Sequence, residues 1–308
     1  MPEIDRRLFL RTAGAMSLGA IAWACAKKTP KATPSSAANA LSVELTGEPQ
    51  FAVGDTRVAF AMFKGPDPIA PSDVTASVAL LPGKPIEVPV QRANVQRGSG
   101  GSQTAGTQVF EVFVVHHAFT AGTWVVEAKT GGKSAQAAFQ VQTTVPEPKV
   151  GDHAIASESP TVSDHRGVDP ICTRTPPCAM HQITIADALA KGQPTVVLFA
   201  TPEFCFSRTC GPTTDIVESV SKQFAGQASF IHVEVFRNPA AGQKALTAES
   251  NGTGLSDTSG DAPAYAQWKL GTEPFLYFIG ADGIIKDRWN GAVGADEVHQ
   301  RVTELLKA

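Results

Sequence analysis

Four cysteines fall between positions 172 and 210 of this 308-residue chain, as Cys172, Cys178, Cys205 and Cys210, while a fifth, Cys25, stands apart near the start. A chain that gathers its sulfur this way must fold so that one short region holds a disulfide framework, a metal or a thiol centre. Cys205 and Cys210 follow the apolar run Thr195 to Ala200 and open a helical pattern that ends at Phe224. They therefore belong to a strand-to-helix turn. The length is about twice that of a typical domain, and 43 % apolar residues are ample for packed cores. With 26 Lys and Arg against 29 Asp and Glu, the formal charge is −3. That balance lacks the concentrated basic surface of a nucleic-acid binder, so no nucleic-acid partner is expected.

The first residues read as an address. Arg6-Arg7 precede a modest run from Thr12 to Ala24, too short and too rich in Gly and Ala to span a bilayer comfortably. The pair, with apolar Phe9 two places on, resembles a twin-arginine export signal. Ile21-Ala22-Trp23-Ala24-Cys25 resembles a lipoprotein box, which implies a signal peptide over 1–25 and acylation of Cys25. The plainer reading is ordinary cleavage after Ala24, with Cys25 left as a spare thiol. A bacterial, exported protein anchored to the outer face of the cell membrane follows from the first reading. Residues 26–40, rich in Lys, Thr, Pro, Ser and Ala, read as a flexible tether. Outside the cytoplasm, disulfides persist.

Positions 41–144 hold no cysteine and almost no helical periodicity. Val58 to Phe63, Val74 to Leu81, Ile86 to Val90, Val109 to Val115, Thr123 to Ala128 and Ala135 to Val141 read as strands between turn residues. They predict an antiparallel, immunoglobulin-like sandwich, with Arg97 to Gly106 a connecting loop. His116-His117 on one strand point to opposite faces and cannot share a metal. Positions 145–150, with Val145-Pro146-Glu147-Pro148, read as a stiff linker.

From 151 to 308 helix and strand patterns alternate. Ile183 to Ala190 (helix), Thr195 to Ala200 (strand), Cys210 to Phe224 (helix) and Ser229 to Val235 (strand) come first. A polar insertion around Ser250 to Gly260 and a short helix near Ala262 to Trp268 follow. Strands Phe275 to Ile279 and Ile284 to Trp289 then flank Ala281-Asp282-Gly283, and a last helix runs from Ala295 to Leu306. This order predicts a small α/β sheet with helices on both faces.

Three local features of this half resemble thioredoxin-like proteins of the exported, cytochrome-maturation type. Leu198-Phe199-Ala200 leads into a cysteine-bearing turn, Thr272-Glu273-Pro274 precedes a strand, and Gly280 to Ile284 with Gly291-Ala292 matches the hairpin and its exit. The resemblance implies a thiol–disulfide oxidoreductase without a cofactor, in which Cys205 and Cys210 are catalytic. Pro274, as a cis-proline, would shape the substrate groove with Phe204 and Phe206 beside it. The implied partners are exported thiol or disulfide proteins and an electron-transfer partner. The departure is the Cys-x4-Cys spacing in place of Cys-x-x-Cys. Either Cys205 attacks and Cys210 resolves from an enlarged loop, or Cys210-Gly211-Pro212-Thr213 overlays the family's Cys-Gly-Pro-Cys and Cys205 resolves. Pro212 places Cys210 at the helix N-terminus, where free N–H groups favour a thiolate, so the reading leans to Cys210.

Cys172 and Cys178 read as a local disulfide, or as a relay or cap beside the first pair. Two rival functions remain open. In one, Cys205, Cys210 and His181 hold zinc or copper, although the thioredoxin-fold copper-delivery proteins use Cys-x3-Cys with a distant His. In the other, both pairs are permanent staples of an interaction module. His232 reads as a packed strand residue, His153, His165 and His299 as surface, and Asp215 with Glu218 as a solvated helix face.

Overall fold

Short β-branched and aromatic runs, broken by Gly, Pro and Asp, leave no stretch in the first part of the chain long enough for a helix. The computed structural model, which describes residues 40–96, 109–205, 207, 209–239 and 260–307, has strands there alone. They are β1 (Leu41–Leu45), β2 (Gln50–Ala52), β3 (Gly54–Lys64), β4 (Asp67–Ile69), β5 (Thr75–Leu80), β6 (Ile86–Val88), β7 (Gln91–Gln96), β8 (Val109–Phe119), β9 (Gly122–Thr130) and β10 (Lys133–Gln142). One sheet runs β1-β3-β8-β7 with β4 on β3, and the other β2-β10-β9-β5-β6. Val58, Phe60 and Met62 of β3 meet Val126 and Phe139 of the opposite sheet in one apolar core. The four strands without a sequence forecast are β1, β2, β4 and β7: β2 and β4 have three residues each, and polar residues interrupt β1 and β7. β2 pairs parallel to β10.

The remaining elements are α1 (Ile185–Ala190), β11 (Thr195–Ala200), α2 (Cys210–Gln223), β12 (Ser229–Glu234), α3 (Pro263–Gln267), β13 (Phe275–Ile279), β14 (Ile285–Asn290) and α4 (Ala295–Leu305). The sheet order is β12-β11-β13-β14, with β11 parallel to β12 and antiparallel to β13. This is the thioredoxin-like succession of strand, helix, strand, hairpin and helix. Central β11 is buried at all six positions, because both faces are covered. Val196, Leu198 and Ala200 pack with α2 and α4, whereas Val197 and Phe199 pack with α1 and α3.

The outer face of the first sheet is not solvated. Ala59 of β3, Ala93 and Val95 of β7, and Val112 and Val114 of β8 share the core of α2 and α4. A single buried arginine joins the two parts. Arg57 donates to the Ala292 carbonyl at 2.8 Å and to the Glu297 carboxylate at 2.5 Å, and stacks over Trp289 at 5.1 Å. Gly294 makes the approach possible, since a Cβ there would lie 2.7 Å from the Ala93 Cβ.

The expected signal at 1–25 with Cys25, residues 26–39 of the expected tether, the loop expected at 97–106 and nearly all of the insertion expected after Ser250 lie outside the described residues. Among the described residues no helix is long and apolar enough to cross a membrane.

Candidate active site

The turn between β11 and α2 holds Cys205 and Cys210 with Glu273 from the loop before β13. Their two sulfurs and a carboxylate oxygen all lie within 4.8 Å of one another. A helix start leaves backbone N–H groups without intrahelical partners. Thr209, at the N-cap of α2, makes no side-chain capping bond. The Cys205 sulfur takes that place instead, accepting the Cys210 amide at 3.4 Å, with the Ser207 hydroxyl at 3.1 Å.

These contacts set the acidity of the two thiols apart. Burial pushes Cys205 up, but hydrogen bonds from the Cys210 thiol, the Ser207 hydroxyl and the amides of Cys210 and Thr209 outweigh it and bring the group down to about 6. Cys210 is fully buried, and burial together with the neighbouring Cys205 sulfur pushes it well above the ordinary thiol range. The lean toward Cys210 is thereby reversed. A helix N-terminus does favour a thiolate, but its N–H groups point back toward the preceding turn, where Cys205 lies, while the Cys210 side chain turns into the core behind α2.

Burial first, and then the Cys205 charge, holds the Glu273 carboxyl well above the usual carboxylate range. Nothing in the sequence marked this residue beyond its place before Pro274. The Glu273–Pro274 peptide is cis. Phe204 is half-buried beside the turn, and Phe206 lies outside the described residues.

His181 is not at this site. It lies with Cys172, Cys178 and His232 in a second cluster, all four buried. The Cys172 and Cys178 sulfurs are 3.9 Å apart. Cys178 Sγ lies 3.2 Å from His181 Nε2 and 3.3 Å from His232 Nδ1, and those two nitrogens are 3.2 Å from each other. The hydrogen bond between the sulfurs holds Cys172 below the ordinary thiol range and Cys178 above it. His232 is thus more than a packed strand residue. Only the register of β12 beside β11, which sets His232 opposite Leu198, brings it to the cysteines.

Asp215 and Glu218 are likewise not a solvated face. Arg174 reaches them at 2.5 and 3.5 Å, and Glu218 accepts the Ala179 amide at 2.8 Å. They clamp the segment between Cys172 and His181 onto α2. Thr173 links the two clusters: its hydroxyl accepts the Glu203 amide at 3.2 Å and donates to buried Glu234 at 2.8 Å. As expected, His116 is exposed, and His117 rests on Phe119 and Trp124.

No family model and no curated protein matches the chain. Solved structures do. DsbF of MTB, solved in mixed oxidised and reduced forms, is 25 % identical, with 37 % of this chain and 81 % of that chain covered and a TM-score of 0.27. A thiol:disulfide interchange protein of the thioredoxin family from Chlorobium tepidum is 15 % identical over 40 % and 86 %, with a TM-score of 0.27. The Lin-41 filamin domain is 13 % identical over 35 % and 96 %, with a TM-score of 0.23. At scores this low, the chemistry rests on the geometry of the site itself.

Proposed function

We propose that the protein is a thiol–disulfide oxidoreductase in which Cys205 attacks and Cys210 resolves. One observation carries this reading: two adjacent sulfurs with opposite environments, one capping a helix and half-buried, the other sealed in the core.

Only a thiolate attacks a disulfide, and a thiol with a pKa near ambient pH attacks best. The Cys205 thiolate attacks one sulfur of a partner's disulfide. That S–S bond breaks, a mixed disulfide forms, and the partner's other sulfur leaves as a thiolate that takes a proton from water. Once the Cys205 charge is consumed in the mixed disulfide, its repulsion on Glu273 is gone, and the Glu273 carboxyl releases its own proton to water. It then takes the Cys210 proton as Cys210 attacks the Cys205 sulfur. The partner leaves as a dithiol, two electrons richer, and the chain keeps a Cys205–Cys210 disulfide. A carboxyl held above its ordinary range by burial takes up a proton more readily than a solvated one. Running backwards, the same steps oxidise a dithiol. A second thiol–disulfide protein, acting as electron-transfer partner, restores the starting form. Pro274, which follows Glu273, and Phe204 and Phe206, which flank Cys205 in sequence, are read as the groove residues.

The twin-arginine-like and lipobox-like residues support export and anchoring through Cys25, with exported thiol or disulfide proteins as partners. In this reading the sandwich with which α2 and α4 share a core acts as the support of the redox domain.

The deciding experiment is reduction of a protein disulfide such as that of insulin. The wild type is expected to turn over, Cys205→Ser to be inactive, and Cys210→Ser to accumulate a mixed disulfide at Cys205. A wild-type Cys205–Cys210 bond that resists a graded glutathione series until the chain unfolds would overturn the reading in favour of a stapled interaction module.

A further inference from the structure

The second thiol cluster has the shape of a metal cage. A tetrahedral zinc centre has bonds of about 2.3 Å to sulfur and about 2.1 Å to nitrogen. Those lengths require edges of about 3.8 Å between sulfurs, about 3.6 Å from sulfur to nitrogen and about 3.4 Å between nitrogens. Four of the six edges here are 3.9 Å for Cys172–Cys178, 3.2 and 3.3 Å from Cys178 to the two histidines, and 3.2 Å between the histidine nitrogens, and all four ligand atoms lie within 4.8 Å of one another. The four atoms come from a loop and from a strand more than fifty positions away, yet they converge on one point.

The surroundings fit a ligand set better than a packed core. His232 Nε2 donates to the Ala200 carbonyl at 3.0 Å, which leaves Nδ1, the atom facing the sulfurs, as a lone pair. A backbone carbonyl that fixes the far nitrogen of a histidine is the usual support of a metal-bound imidazole. His181 Nδ1 is buried without a hydrogen-bond partner, so the cluster alone holds this imidazole in the interior, where an unsupported polar ring is costly. The Cys178 amide donates to the Cys172 sulfur at 3.5 Å, as suits a thiolate. Moreover, the described chain from 154 to 184 contains no helix or strand. The Arg174 ion pairs hold this irregular segment to α2, and the cluster holds it to β12.

We infer that Cys172, Cys178, His181 and His232 form a closed structural site for one divalent cation of the zinc class. Two thiolates and two neutral imidazoles select such an ion, and complete burial leaves no open position for catalysis. On binding, the two thiols release their protons to solvent and the ion keeps its charge and oxidation state. The bound ion ties the Cys172–His181 segment to β12. It also excludes a Cys172–Cys178 disulfide, whose sulfurs would have to close to about 2.05 Å. The site is independent of the chemistry at Cys205 and Cys210.

The test uses the full chain, reduced, stripped with a chelator and given one equivalent of Zn²⁺ or Co²⁺ alone. One equivalent is expected to survive gel filtration, and the cobalt form is expected to show thiolate-to-cobalt charge transfer with intense tetrahedral ligand-field bands. Cys172→Ser and His232→Ala should each lose that retention, while Cys205→Ser with Cys210→Ser keeps it, so that failure of the exchange reading leaves this one standing. Because the cobalt spectrum is read on the unmutated chain, misfolding of a variant does not blunt the test. Failure to retain either ion, an octahedral cobalt spectrum, or retention that depends on Cys205 and Cys210 would overturn the inference. So would retention of copper alone, or a Cys172–Cys178 bond that survives reduction of the folded protein.

Discussion

The Cys210 amide donates to the Cys205 sulfur across 3.4 Å, so a thiol occupies the place a serine or aspartate oxygen holds at most helix starts. The unpaired N–H groups and the positive end of the α2 dipole act on Cys205, in the turn before the helix, rather than on the first residue in it. Cys205 is stabilised as a thiolate while Cys210, one turn away and buried, stays a thiol.

Alkylation should report this difference directly. In the reduced protein, the rate of Cys205 modification by iodoacetamide should rise with pH to half its plateau near the Cys205 pKa of about 6. The sign follows from the thiolate being the reactive form: protonation below that pH slows the reaction. Cys210 should stay unmodified until the chain unfolds. Peptide mapping by mass spectrometry after timed quenching measures both sites, and a midpoint near the ordinary thiol value of about 8.5 would refute the assignment.

Glu273→Gln keeps the shape of the side chain and removes its proton chemistry. The resolving step is expected to slow about 100-fold, while the first attack by Cys205 changes little. Rapid-quench measurement of the mixed-disulfide lifetime separates these steps. An unchanged lifetime would remove Glu273 from the mechanism.

Arg174→Ala leaves Asp215 and Glu218 close together and mostly buried, with no cation between them. Loss of one partner from a largely buried ion pair costs more than loss of a surface pair, here about 2 kcal/mol. Urea unfolding should show that shift. Arg174→Lys should recover only part of it, because an ammonium cannot span two carboxylates as a planar guanidinium does.

Arg57→Ala tests whether the sandwich and the C-terminal half fold together. The Arg57 side chain is 1 % exposed and pairs with Glu297 at 14 %, so its removal is expected to cost about 3 kcal/mol. Because the two parts share an apolar core, amide exchange should report the same loss in β3 and in α4. Destabilisation confined to one of them would show that the shared core does not couple them.

Much of the architecture was legible in the sequence. Short β-branched and aromatic runs between turn residues located β3, β5, β6, β8, β9 and β10, and a continuous apolar run ending at Ala200 marked the central strand. Pro212 marked the first turn of α2, so the Cys-x4-Cys turn could be placed before any coordinates. β1, β2, β4 and β7 escaped, because β2 and β4 are only three residues long and polar residues break β1 and β7 so that neither forms an apolar run. The burial of Ala59 and Val114 on a second face also escaped, because a two-sided burial pattern shows only once its covering layer is known.

What the sequence determined by itself is therefore local: which segments are strand or helix, where turns fall, and that one sulfur pair sits at a helix start. Long-range contacts decided the chemistry. Cys178 meets a histidine 54 positions away and Arg57 a glutamate 240 positions away. Whether a thiol is solvated or sealed depends on the layer that covers it, and no spacing along the chain encodes that layer. For that reason the sequence named Cys205 and Cys210 as a pair, and only the tertiary structure set one as thiolate, the other as buried thiol, with Glu273 beside them.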